Sequence, residues 1–246
     1  MEPTTILMIA VLMGMGAALY TSVGHAGASA YLAIMALFAV EPEVMRPTAL
    51  VLNVLVASYA TFRYVRAGRF NLSLLLPFVI VAIPCAFIAG RYPLPPELYR
   101  PVVAAVLFLA ALRLLWPRPI AALGEPKAPH TGFRLLAGGA IGTLSGLTGT
   151  GGGIFRSPLI LLMGWETPQK TSGVASAFIL CVSISGLLGS LTTVGRLPAE
   201  LPWFVLAVAI GAVVGTFVGI QRLSGPRLLQ ALGVVLLIAS AKLAFG

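Results

Sequence analysis

Apolar runs of about 20 residues recur from end to end of this 246-residue chain, each long enough to cross a bilayer as a helix. Only 9% of the residues are charged, against roughly 25% in an average soluble domain, and 59% are hydrophobic. Too little polar side chain remains to wet a soluble globule of this size. The expected fold is therefore all-α, a polytopic transmembrane helical bundle in a lipid bilayer.

The formal net charge of +9 comes from 16 Lys and Arg against seven acids, all of them Glu. In a soluble chain that excess would suggest nucleic acid. Here the basic residues fall mostly in the connections, where they act as orientation signals beside anionic headgroups, and no aromatic-interleaved basic patch supports nucleic-acid binding. Cys85 and Cys181 lie inside apolar runs without CxxC spacing, so no disulfide framework, metal site or other cofactor is expected. The chain begins Met-Glu with no basic n-region, and Thr5 to Tyr20 reads as a retained membrane segment rather than a signal peptide.

Long spans are expected at about 5–22, 45–65, 72–90, 98–116, 132–148, 169–193, 200–221 and 226–245. Two shorter apolar pieces, about 26–40 and 153–165, each follow a glycine-rich break. Pro117 to Thr131 alone has soluble-loop composition. It divides the chain into a first transmembrane repeat, 1–120, a cytoplasmic linker, 121–131, and a second repeat, 132–246. Glu41-Pro42 matches Thr167-Pro168, Gly68-Arg69 matches Gly195-Arg196 and Arg113 matches Lys242, at offsets of 126, 127 and 129. A near-constant offset marks an internal duplication. Placing the 63–70 connection in the cytoplasm puts ten basic residues inside and five outside. Each half then makes a helix pair around its break and three more crossings, which gives two inverted repeats, each containing a broken or re-entrant helix pair.

The breaks carry the chemistry. Gly149 and Gly151 to Gly153 place four glycines within five residues, which is hostile to a continuous helix and releases backbone groups from their partners. Such a break survives in hydrocarbon only when buried in protein or lining a polar cavity. A helix restarting near Ile154 would aim N–H groups and its positive dipole end at the break, an arrangement that favours anions. Arg156, three residues past the triplet, is an expensive cation unless something pairs with it, and a bound anion would serve. The glycine run lacks a following Lys-Ser/Thr, and Ile154 stands where a dinucleotide fingerprint needs its third glycine. Gly211, Gly215 and Gly219, at GxxxG spacing, read instead as a helix-packing face.

The first half places Gly24, His25, Gly27 and Ser29 at the corresponding point. A neutral imidazole can donate to an oxyanion, and protonation would strengthen that contact. The candidate substrate-binding set is His25, Gly27, Ser29, Asn53, Gly149, Thr150, Gly151, Gly152, Gly153, Arg156, Ser157, Thr171, Ser172 and Ser176. Asn53 stands out among the polar residues of the long spans, because its amide has two donors and an acceptor that all need partners.

GTGGGIFRSPLILL followed by TPQKTSGVASAFIL and SGLLG, with the earlier GHAGASAYLAIM and RPTALVLN, resembles the sulfite exporter TauE/SafE family of membrane proteins. The similarity runs in order through both halves. It implies a secondary transporter of the bacterial inner membrane that exports sulfite or an organosulfonate such as sulfoacetate. Two departures stand out: the first motif reads His25-Ala26-Gly27 in place of a glycine triplet, and Val182 occupies a place where similar sequences lead one to expect Asn.

The expected mechanism is one midplane site between the two breaks, exposed to each side in turn as the inverted halves rock, with no chemistry performed on the substrate. A channel or carrier for another small anion or carboxylate, or an importer of a sulfur compound, is the alternative, and a homodimer stays open. An intramembrane Ser-His enzyme is disfavoured because no acid is placed to orient His25. Every Glu falls at a terminus or near a span end, so no carboxylate relay is evident. With the interior negative by ~100 mV, expelling one negative charge gains ~2.3 kcal/mol, enough to drive efflux.

Overall fold

Proline sets the start of five helices. The computed structural model describes residues 2–92, 94–115, 130–153, 168–191, 197–221 and 226–245. In it α1 (Pro3–Ser22), α3 (Pro42–Arg66), α5 (Pro96–Leu115), α7 (Pro168–Gly189) and α9 (Pro226–Phe245) all open on Pro. Its missing N–H is one the first turn cannot use, and its fixed φ suits a helix start. α4 (Leu72–Arg91) is capped by Asn71, whose side chain accepts from Leu74 N at 3.2 Å. His130 Nδ1 accepts from Gly132 N at 3.3 Å at the head of α6 (Thr131–Thr148). α2 (Ala28–Leu37) and α8 (Leu201–Gln221) complete the described helices.

The helices follow the expected spans with small differences. α3 begins at Pro42 rather than near 45, because Glu41 is extended and Pro42 takes the first helical position. α7 ends at Gly189 rather than 193, where Ser190 N turns back onto the carbonyls of Gly186 and Leu187. Most of the expected linker and nearly all of the second short piece lie outside the described residues. Among the described residues five helices are long and apolar enough to cross a membrane: α1, α3, α4, α8 and Lys170–Gly189 of α7. Large apolar side chains such as Leu7, Leu76, Ile80, Trp203, Ile210 and Phe217 project outward, as they would toward acyl chains. The chain is a multi-pass membrane protein.

Packing joins early helices to late ones. α1 lies on α8, α4 on α6, α5 on α9, and α3 crosses α7 at the centre. The late helices begin 128, 126, 129 and 130 residues after α1, α3, α4 and α5 (131−3, 168−42, 201−72, 226−96). The pairings are reciprocal at that spacing: α1 packs on α8 as α6 packs on α4. Both contacts are made backbone to backbone. Gly211, Gly215 and Gly219 of α8 lie against the carbonyls of Gly14, Ala18 and Ser22, and Gly138, Gly142 and Gly146 of α6 lie against those of Phe78, Ala82 and Ala86. A glycine every fourth residue keeps one face of the helix free of side chains and lets the axes approach.

Candidate functional site

Two helix ends meet beside the middle of α3. α1 stops at Ser22, and the chain passes through left-handed Gly24 (φ +81°) and Gly27 (φ +106°) before α2 begins. α6 stops at Thr148, followed by Gly149, Gly151 and Gly152, all with φ between +72° and +83°. L-residues other than glycine rarely hold that conformation, so glycine is what the turn requires. The connections touch through a hydrogen bond, His25 Nε2 to the Gly153 carbonyl at 3.0 Å. A carbonyl only accepts, so Nε2 carries the proton.

Around this bond lies a cavity of about 10 Å³, on the order of one water molecule. Tyr20, His25, Gly27, Ser29, Asn53, Thr150, Gly153 and Ile179 line it, together with Ala26 and Ala28. The first turn of α2 faces it, and no side chain caps that turn at Gly27. Uncapped N–H groups at a helix start favour an anion or an acceptor oxygen. Asn53, near the midpoint of α3 and fully buried, donates from Nδ2 to Ser183 Oγ at 3.4 Å, while its Oδ1 has no hydrogen-bond partner among the described residues. Thr150 shares a 2.9 Å hydrogen bond with Thr148 through their hydroxyls. No Lys, Arg, Asp, Glu or Cys lines the cavity among the described residues. The lining offers hydroxyl, imidazole, amide and peptide groups, chemistry for holding a polar solute.

The candidate residues separate by position. His25, Gly27, Ser29, Asn53, Thr150 and Gly153 come together at the cavity. Gly151 stands behind Asn53, close to Ile179 and Ser183, and Gly152 turns away toward Ile141 and Phe178. Gly149 ends α6 and packs on the backbone of Arg46. Thr171, Ser172 and Ser176 do not reach the lining: Ser172 packs against Gly24, and Ser176 donates to the Gly173 carbonyl of its own helix at 3.0 Å. Arg156 and Ser157 lie outside the described residues.

Sequence reasoning missed Tyr20 and Ile179, whose types carry no signal apart from the fold. It also passed over the groups that satisfy the broken helix ends. Tyr64 Oη donates to the carbonyls of Thr21 (2.8 Å) and Ser22 (3.2 Å) at the end of α1, and Tyr99 Oη donates to the Thr148 carbonyl (3.1 Å) at the end of α6. The accepting residues Thr21 and Thr148 stand 127 apart (148−21), within the range of the offsets between the helix starts.

The family model described as "Sulfite exporter TauE/SafE" matches residues 7–243. A protein of Sinorhizobium fredii (strain NBRC 101917 / NGR234) named "Probable membrane transporter protein y4hK" is 34% identical over 227 residues, covering 91% of this chain and 92% of its own length. No solved structure matches the chain.

Proposed function

Because the chain belongs to the sulfite exporter TauE/SafE family of membrane transporters, we propose that it exports a small sulfur oxyanion, sulfite or an organosulfonate such as sulfoacetate, through the cavity between the two breaks. The observation that carries this reading is the meeting of the α1–α2 connection and the end of α6 at one polar cavity beside Asn53, where His25 bonds the Gly153 carbonyl. Interrupted helices in hydrocarbon are sustained by what they surround, and carriers built from inverted repeats bind at such points. The N–H groups at the start of α2, the Ser29 and Thr150 hydroxyls and the Asn53 amide would hold the oxyanion, and Arg156, which follows Gly153 by three residues in sequence, would supply its counter-charge.

A sulfur bearing three oxygens is larger than one water, so a cavity of about 10 Å³ would have to widen to load it. The reading is transport without catalysis, in keeping with the membrane-transporter family to which the chain belongs. The test is flux in proteoliposomes for sulfite, sulfoacetate, sulfate, phosphate and small carboxylates. Saturable flux of the sulfur oxyanions, lost in Asn53→Ala, is expected; movement of only cations or neutral solutes would refute the proposal.

A further inference from the structure

Two arginines flank the cavity along α3, one near the start of the helix and one three residues past its end. Arg46 is 4% exposed and donates from Nη2 to the Gly90 carbonyl at 2.6 Å and the Ala89 carbonyl at 3.5 Å, at the C-terminus of α4. Arg69 donates from Nη1 to the Gly219 carbonyl at 3.2 Å and from Nη2 to the Ile220 carbonyl at 2.7 Å, at the C-terminus of α8. Gly90 and Gly219 are 129 residues apart, the same offset as the starts of α4 and α8. The two guanidinium groups therefore cap the same point of two corresponding helices. From Arg46 to the last turn of α3 is ~30 Å of helix, the thickness of the hydrocarbon core, so the caps sit toward opposite sides with Asn53 between them.

Each cap is tied to one of the breaks. The backbone of Arg46 packs on Gly149, and Tyr99 bonds the carbonyl of Thr148 beside it. The carbonyl of Arg69 packs on Gly173, next to the Ser172 that meets Gly24, and Tyr64 bonds the end of α1. On one side α3, α4, α5 and α6 are thereby held together; on the other α1, α3, α7 and α8 are. We propose that Arg46 and Arg69 are paired latches that close the cavity from the two sides, each released when the site opens toward its own side. The proposal rests on reading the protein as an alternating-access carrier.

The chemistry suits a reversible closure. A helix C-terminus carries roughly half a negative charge on its unsatisfied carbonyls, which a guanidinium fork complements. Opening a side gives both groups to water, so hydrogen bonds are exchanged rather than lost. With both latches engaged the cavity stays small, about one water in volume. Arg46 and Arg69 are positioning residues here, acting on access to the site and not on the solute.

The experiment reads access from each side without substrate. An Ile179→Cys reporter at the cavity, in a Cys85→Ala, Cys181→Ala background, is labelled with a membrane-impermeant maleimide in right-side-out and inside-out vesicles. Arg46→Gln should accelerate labelling by roughly ten- to a hundredfold from the side on which α3 begins, and Arg69→Gln by a similar factor from the opposite side. Arg46→Lys and Arg69→Lys keep the charge without the fork. They should show the same sidedness with smaller factors, and they stand in for a Gln variant that fails to accumulate. Acceleration from both sides by either variant, from the same side by both, or from neither side overturns the proposal. A wild-type protein that moves no sulfur oxyanion would refute the proposed function and leave sided labelling intact.

Discussion

Gly151→Ala should damage transport where Gly68→Ala does not, and the difference isolates what the second break contributes. Both glycines have left-handed φ, +72° and +70°. Alanine at either position therefore costs about 1–2 kcal/mol of backbone strain. Around Gly68 nothing lies within 4 Å of where a Cβ would stand. At Gly151 the new methyl would sit 2.5 Å from Asn53 Nδ2, 2.9 Å from Ile179 Cγ2 and 3.3 Å from Ser183 Oγ. Ordinary contact needs about 3.5 Å, so the Asn53 amide must retreat by ~1 Å. That breaks its 3.4 Å bond to Ser183 and adds about 1–3 kcal/mol of overpacking. Thermal unfolding of purified protein and oxyanion flux in proteoliposomes measure the two consequences. Flux should stay within about twofold for Gly68→Ala and fall by tenfold or more for Gly151→Ala, because a misplacement of ~1 Å at a site is costly. If Gly151→Ala matches Gly68→Ala in both stability and flux, the Asn53 side of the cavity takes no part in transport and the argument fails.

Two further outcomes follow from the geometry. Gly142→Leu and Gly215→Leu push a side chain into the backbones of Ala82 and Ala18, and should abolish a monodisperse peak in size-exclusion chromatography, whereas the outward-facing Phe217→Leu should not. His25→Ala deprives the buried Gly153 carbonyl of its donor and should cost about 1–3 kcal/mol by thermal unfolding; His25→Gln, whose amide can donate, should recover part of it.

The helices were legible because hydropathy and proline announce them locally. Pro3, Pro42, Pro96, Pro168 and Pro226 mark starts that need no tertiary partner to read. The turns after α1 and α6 hold glycines at 24, 27, 149, 151 and 152, all with positive φ, a backbone requirement that glycine meets and that the sequence shows by residue type alone. What the breaks face was not legible. Ser172 and Ser176 are as polar as Ser29, yet one meets Gly24 and the other returns to its own helix, and composition cannot separate them. Tyr20, Tyr64 and Tyr99 read as apolar span residues until the helix ends they border are known. Arg46 reads as a topology marker at a span end. Its burial against α4 depends on a contact 44 residues away.

The pattern of close contacts also bears on which parts can move. Rocking of one half of the sequence against the other is the simplest form of alternating access, but among the described residues every extensive helix pair joins the two halves. α1 is held to α8, and α4 to α6, by glycine faces laid on carbonyls, contacts that tolerate little sliding because no flexible side chain lies between the backbones. Around the cavity the ties are of another kind: His25 to Gly153, Tyr64 to Thr21, Tyr99 to Thr148, and the two arginines to helix ends are hydrogen bonds from side chains to carbonyls, which water can replace. Rigid units should follow the backbone contacts and hinges the replaceable ones. By that rule α1–α8 and α4–α6 are each expected to move as a unit assembled from both halves of the chain, with α7 joined to the second of them where Gly189 lies on the Phe87 carbonyl and Gly90 on that of Gly186.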